Sequence, residues 1–235
     1  MDKFSFKIKD KTILVYRSTF APVNSNMFVL LTEKEAVVFD PNENEELLQI
    51  LKDKCIERVH ILLTHEHYDH TNGVNWLVKH TGADLYCQKD CAEVIKTKRG
   101  NNPALIALVW ADMDKKDGGH RYKDFKERFV PYTIKADKTF EKEDIVRIGE
   151  YEFHVTSTPG HCPGASCYKL FDKMVFTGDT LLQHNPVILS FRESVEDDYE
   201  KIALPYLRAL PKDTIVMPGH GDPFILEETK TSDNV

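Results

Sequence analysis

The feature that most constrains the fold is a polar cluster between an apolar run and an amphipathic segment. Residues 59–64 form an apolar run typical of a buried strand, and residues 71–80 carry apolar side chains on one helical face. The cluster between them is His65-Glu66-His67-Tyr68-Asp69-His70. This pattern predicts a strand, a polar turn and a helix. Open α/β folds place their ligands at such a turn, at the carboxyl end of a strand.

The cluster contains residue types that bind divalent metals. Neutral imidazole and ionised carboxylate are ligands that Zn²⁺, Fe²⁺ and Mn²⁺ share, and three histidines with one aspartate exceed the usual protein ligands of one ion at an open site. In an extended chain His65 and His67 point to the same side, whereas His70 lies beyond the turn. We therefore expect two ions, the first bound by His65 and His67 and the second by Asp69 and His70. Glu66 and Tyr68 are expected to be spacers.

Three further strand ends carry a metal-binding residue behind a glycine. They are His161 after residues 153–158, Asp179 after residues 174–177 and His220 after residues 215–217. Glycine permits a tight or left-handed backbone at each position. A carboxylate such as Asp179 can bridge two ions, and the two histidines would complete the coordination.

These motifs, in this order, resemble the metallo-β-lactamase superfamily of dinuclear metallohydrolases. The resemblance rests on residues 64–70, 158–161, 176–180 and 218–221. It implies an α/β fold, the αββα four-layer sandwich of two mixed β-sheets flanked by helices, with the metals at one edge between the sheets. By position, the first metal would be held by His65, His67 and His161, and the second by Asp69, His70 and His220. Asp179 would bridge the two ions, and Asp40 would be the carboxylate that the family often keeps next to the ligands.

The resemblance also implies a reaction. Two divalent ions, zinc first with iron or manganese as alternatives, would hold a bridging hydroxide that cleaves an ester-type bond, and Asp69 would orient it and accept its proton. The motif spacing resembles the glyoxalase II branch, which favours a thioester, with a lactone next. Two alternatives stay open: a mononuclear iron oxidoreductase resembling the persulfide dioxygenases, and a phosphodiesterase.

An insertion interrupts the series of strands. We expect a single domain over residues 1–226, a helical insertion or lid at 99–138 and a polar tail at 227–235. Candidate substrate contacts are Trp110, Arg121, Tyr122 and His184, the last also a candidate general acid. The structural alternative is that Trp110 and Phe125 only pin the insertion to the core or to a second subunit.

Composition limits the partners. The net charge of −7 and the pI near 5.8 argue against a general nucleic-acid or anionic-membrane surface. No run approaches the ~20 apolar residues of a membrane span, and the amino terminus lacks the apolar core of a signal peptide. The 5 cysteines, an odd number, fit free thiols. We expect a cytoplasmic enzyme acting on a small molecule, with a homodimer left open.

Overall fold

The computed structural model describes residues 1–21 and 23–228, and most of the predicted tail, residues 229–235, lies outside this range. Its strands form two mixed sheets. The first sheet contains, in spatial order, β1 (Asp2–Ile8), β2 (Lys11–Phe20), β3 (Ser25–Leu31), β4 (Glu35–Phe39), β5 (Arg58–Leu62), β6 (Asp84–Gln88) and β7 (Lys138–Phe140). The second contains β8 (Glu143–Ile148), β9 (Tyr151–Ser157), β10 (Ser166–Leu170), β11 (Met174–Gly178), β12 (Ile215–Pro218) and β13 (Phe224–Ile225).

Strand direction explains why the four motifs meet. Strands β4 to β7 are parallel, so their carboxyl ends share one edge of the first sheet. In the second sheet β11 and β12 are parallel, and β9 runs in the same direction because the strand between β9 and β11 is antiparallel to both. The ends of β5, β9, β11 and β12 therefore lie along one rim of the sandwich.

Helices cover the outer faces of both sheets and part of the rim. They are α1 (Glu45–Asp53), α2 (Tyr68–Thr71), α3 (Val74–Thr81), α4 (Lys89–Ile95), α5 (Ala104–Asp117), α6 (Arg121–Arg128), α7 (Glu196–Asp198) and α8 (Leu204–Arg208). A π-helical segment, Tyr199–Ala203, joins α7 to α8, and a 3₁₀ turn spans Leu226–Glu228. Within the part of the chain that the structure describes, none of these helices is long and apolar enough to span a bilayer.

The single helix expected over residues 71–80 was wrong. The chain forms α2 and α3 with a break at Asn72-Gly73. Gly73 packs against the backbone of Asn42, where a Cβ atom would lie 2.5 Å from the Asn42 Cα. This close approach bends the chain, so that His70 stays on the short first helix beside the strand end.

The core consists of three apolar layers. Between the sheets, Phe39 stacks on Phe176 with ring centroids 3.9 Å apart, and Phe153 and Tyr168 pack around them. Outside the first sheet, buried Leu47 and Leu77 anchor α1 and α3. Outside the second sheet the equivalent anchors are Ala203 and Leu207. These layers confirm the predicted αββα sandwich.

The insertion packs on the rim next to α2. Phe125 of α6 and Ile106 of α5 are buried together with Phe20 and Tyr68. Tyr68 is therefore part of the core and not a spacer. The buried position of Phe125 agrees with the structural alternative, because this side chain pins the insertion to the sandwich.

Candidate metal centre

Five histidines and two aspartates meet at the rim. The ligand atoms of His65, His67 and His161 lie within 4.8 Å of one another, and so do those of Asp69, His70 and His220. Asp179 lies between the two groups: its carboxylate oxygens are 3.6 Å from His161 Nε2, 3.6 Å from His70 Nε2 and 3.4 Å from His220 Nε2. The structure thus brings together all the side chains that the sequence predicted as ligands.

The arrangement of His67 and His161 is suited to binding a cation. His67 Nδ1 and His161 Nε2 face each other at 3.0 Å. His161 Nδ1 must donate to the carbonyl oxygen of Ile188, at 2.8 Å, and His67 Nε2 faces the carboxylate of Glu193 at 3.3 Å. These acceptors hold hydrogens on the outer nitrogens, so two lone pairs face inward. Such a pair repels unless a proton or a metal ion lies between them.

The other histidines are oriented in the same way. His220 Nδ1 donates to the carbonyl oxygen of Val23 at 3.2 Å, which directs Nε2 to Asp69 and Asp179, each 3.4 Å away. His65 Nδ1 donates to Thr64 Oγ1 at 3.0 Å. Each inner nitrogen therefore points into the site, as expected when outer partners orient metal ligands.

Unpaired buried atoms support this interpretation. His65 Nε2, His70 Nε2 and Asp179 Oδ1 are buried and have no hydrogen-bond partner in the described structure. Leaving such groups unpaired costs free energy, so native proteins pair them or use them for a ligand. The donor set of imidazole and carboxylate fits divalent zinc, iron or manganese.

The charge distribution differs between the first group, which is His65, His67 and His161, and the second group, which is Asp69, His70 and His220. Burial lowers the pKa of His161 to about 4. Burial also opposes charge on His70 and His220, but the carboxylates of Asp69 and Asp179 outweigh it and raise the pKa of His70 to about 9 and that of His220 to about 11. Without metal, the second group therefore holds protons that a cation would displace.

Asp40 supports the strand end and the second group together. Its Oδ1 accepts from the Thr64 backbone N–H at 2.8 Å, and its Oδ2 accepts from Thr64 Oγ1 at 2.6 Å and from His70 Nδ1 at 2.9 Å. The side chain is 3% exposed, and the backbone φ of 48° is left-handed. This agrees with the role that the family resemblance implied for Asp40.

Several supporting residues lack a sequence signal. We call residues 188–194 the covering loop, because Phe191 packs against the rings of His67 and His161, and Ser194 Oγ donates to the carbonyl oxygen of His161 at 2.7 Å. On the other side, Asn26 donates from Nδ2 to the carbonyl oxygen of Pro218 at 2.9 Å, which ties β3 to the His220 motif. Neither the loop nor Asn26 has a periodicity or glycine pattern that would have revealed it.

Glu66 was wrongly predicted to be a spacer. Its side chain is 2% exposed, and Oε1 accepts from the backbone N–H of Gly164 at 3.2 Å. Burial raises the pKa of this carboxyl group. Glu66 thus ties the polar turn of the first sheet to the loop that follows His161 in the second.

The predicted substrate contacts lie apart from the ligands. Trp110 and Arg121 line a cavity of about 460 Å³ beside Phe20, to which no predicted metal ligand contributes among the described residues. The Arg121 guanidinium pairs with Asp114 and Asp117 and joins the two helices of the insertion. Exposed Tyr122 belongs to the same helix as Arg121, and exposed His184 makes no hydrogen bond or ion pair with another described residue.

A second cavity, of about 500 Å³, opens beside the first group. It lies between the covering loop and the turn that follows α4, and we call it the His67 cleft. Its lining includes Glu66, His67, Arg99, Pro163, Arg192 and Glu193. Because His67 lines its wall, a ligand in this cleft would lie next to the first group.

Fold and site together define a metal-dependent hydrolase of the αββα class. The model of the Metallo-beta-lactamase superfamily matches residues 20–220, and the chain belongs to that superfamily. This confirms the predicted family and enzyme class.

Named relatives are similar over most of their length. The probable metallo-hydrolase YqgX of Bacillus subtilis (strain 168) is 25% identical over 213 residues, 87% of this chain and 89% of that protein. The hydroxyacylglutathione hydrolase GloC of Haemophilus influenzae is 26% identical over 206 residues, 85% of this chain and 86% of that protein. The crystal structure of the BLEG-1 B3 metallo-beta-lactamase has a TM-score of 0.69 at 27% identity, over 91% of this chain and 95% of that chain.

Proposed function

We propose that this protein hydrolyses an ester-type bond in a small molecule, a thioester first and a lactone second, with two divalent metal ions. The observation that carries the proposal is the position of Asp179 between two groups of inward-facing nitrogen and oxygen atoms. A relative named as a hydroxyacylglutathione hydrolase supports the thioester, because an acylglutathione is a thioester.

The two groups would hold one ion each. His65, His67 and His161 would hold the first, Asp69, His70 and His220 the second, and Asp179 would bridge them. Zinc is proposed first, with iron or manganese as alternatives, because nitrogen and oxygen donors suit all three. Divalent ions bound there would supply a hydroxide nucleophile near neutral pH and polarise the carbonyl oxygen of the ester.

Asp69 is proposed as the general base. Its Oδ2 lies 3.4 Å from both His70 Nε2 and His220 Nε2, so the carboxylate faces the shared volume. Its backbone carbonyl accepts from Ser25 Oγ at 2.9 Å and from Asn72 Nδ2 at 2.8 Å, which fixes the residue. A carboxylate held in this way can orient the nucleophile and accept its proton.

The protonation that a leaving group needs favours a thioester as the substrate. A thiolate departs with little protonation, whereas an alkoxide needs an acid near it. His184, the candidate acid, is exposed and has no hydrogen bond to another described residue that would hold it near the ligands. A substrate whose leaving group needs no proton therefore fits this site best.

Metal analysis combined with a substrate panel tests the proposal. Protein purified without added metal would be analysed for metal content, and the metal-loaded protein would be assayed on thioesters, lactones, bis-p-nitrophenyl phosphate and a β-lactam. We expect two ions per chain and turnover of a thioester or lactone that stops with chelator and returns with metal. A fully metal-loaded protein that hydrolyses neither the thioesters nor the lactones would contradict the proposal. One iron per chain, with oxygen uptake on glutathione persulfide, would instead support the dioxygenase alternative.

A further inference from the structure

The His67 cleft contains two arginines whose guanidinium groups have no partner among the described residues. Arg99 and Arg192 both line it, both are exposed, and neither forms an ion pair or hydrogen bond with another described residue. Most other arginines are engaged, as Arg17 is with Asp2 and Arg58 with Glu35. Two free guanidinium groups at one cleft are an available binding site for an oxyanion.

The carboxylates of the cleft have partners other than these two arginines. Glu93 pairs with Lys96, and Glu193 faces His67 Nε2 at 3.3 Å. Glu66 is 2% exposed and so lies behind the cleft surface. None of these carboxylates forms an ion pair with Arg99 or Arg192 in the described structure, so both guanidinium groups are available to a ligand.

The turn that carries Arg99 is held in place. Gly100 N donates to Thr97 Oγ1 at 3.0 Å, and Asn101 N donates to the carbonyl oxygen of Thr97 at 3.2 Å. Asn101 is fully buried, and its Oδ1 accepts from Thr71 Oγ1 of α2 at 3.4 Å. The turn is thus connected to the helix that carries Asp69 and His70.

Arg192 is held by its two neighbours on the covering loop. Phe191 packs on the ring of His67, with centroids 5.2 Å apart, and Glu193 contacts the same ring at Nε2. The backbone of Arg192 is therefore tied to the first ligand group from both sides. Its side chain remains free to reach a ligand in the cleft.

We propose that Arg99 and Arg192 form an anion clamp that selects substrates carrying a carboxylate or a phosphate and directs their reactive carbonyl to the metal ligands. This deepens the proposed hydrolase function and rests on it. In a chain of net charge −7, two unpaired guanidinium groups at one cleft would favour an anionic substrate there.

Paired substrates test the clamp. Glutaryl and pentanoyl thioesters of N-acetylcysteamine differ in one terminal carboxylate, and acetyl thioesters of phosphopantetheine and pantetheine differ in one phosphate. One of the two pairs should show the larger preference for its charged member in the wild type. For that pair, we expect the ratio of kcat/KM for the charged substrate to kcat/KM for the neutral one to fall about tenfold to a hundredfold in R99Q and in R192Q, mainly through KM. R192K should restore part of the ratio, and R208Q, an exposed arginine outside the cleft, should keep it.

A binding measurement separates the clamp from the reaction. Calorimetry on the metal-loaded protein would use the non-hydrolysable thioether analogues of the same two pairs. Tighter binding of a charged analogue that is lost in R99Q and R192Q, but not in R208Q, would support the clamp even if no thioester turned over; in that case only the proposed hydrolysis fails. Equal binding of charged and neutral analogues by the wild type, or unchanged discrimination in both variants, would overturn the clamp.

Discussion

His70 donates from Nδ1 to Oδ2 of Asp40 at 2.9 Å, and both side chains are almost completely buried. The same carboxylate holds the backbone N–H and the hydroxyl of Thr64 at the end of β5. One residue therefore positions the strand end of the first ligand group and a histidine of the second.

Asp40→Asn tests this relationship. The amide keeps the size of the side chain but offers one acceptor in place of the two carboxylate oxygens that three donors now share, so His70 loses its fixed orientation. We expect metal affinity at the second group to fall about tenfold to a hundredfold, measured by metal titration. Asp10→Asn, on an exposed turn, is the matched control. Unchanged affinity in the Asp40 variant would show that Asp40 does not orient His70.

Gly219→Ala should displace Asp179, the proposed bridging ligand. A Cβ atom there would lie 2.1 Å from Asp179 Oδ1 and 2.9 Å from His70 Cε1, so Asp179 must move. We expect fewer than two ions per chain, with circular dichroism showing a retained fold.

Gly82→Ala is the control for backbone effects. Gly82 has φ of 70°, and nothing lies within 4 Å of an added Cβ atom. It should lower stability by about 1–2 kcal/mol through the left-handed backbone alone while keeping its metal. Equal metal content in the Gly219 and Gly82 variants would contradict the expectation that an added Cβ atom at Gly219 displaces Asp179.

Metal binding should release protons. Because the pKa values of His70 and His220 are raised to about 9 and about 11, both rings are protonated on the two nitrogens near neutral pH in the metal-free protein. The ion must displace these protons, so apparent affinity should increase as pH rises toward the pKa of His70. Calorimetry in buffers of different ionisation enthalpy measures the release, and His154→Ala, at an exposed histidine, should leave it unchanged. A pH-independent affinity would refute this prediction.

Phe125→Ala tests how the insertion is attached. Phe125 is 4% exposed and packs with Phe20, Tyr68 and Ile106. Its removal should lower the free energy of unfolding by about 3–5 kcal/mol, measured by denaturant titration. Tyr122→Ala, on the same helix but 37% exposed, should cost less than about 1 kcal/mol. Similar losses in both variants would mean that Phe125 does not pin the insertion.

Local patterns in the sequence predicted most of the framework. The apolar runs before the His65 and Asp179 motifs indicated β5 and β11, because alternation and apolar runs are properties of consecutive residues. The break at Gly73 was missed, since it depends on contact with the backbone of Asn42. Strand β10 and helices α7 and α8 were also not predicted.

By itself, the sequence determined the family, the two-sheet fold and the types of metal-binding side chain, because each motif lies within a few residues of a strand end. The tertiary structure alone decided which groups surround them. Glu193 reaches His67 across 126 residues of chain, and Arg99 and Arg192 share a cleft although they come from different layers. Such contacts arise from how the sheets and loops pack together. They leave no periodic pattern in the chain, so the proposed substrate preference could be inferred only from the structure.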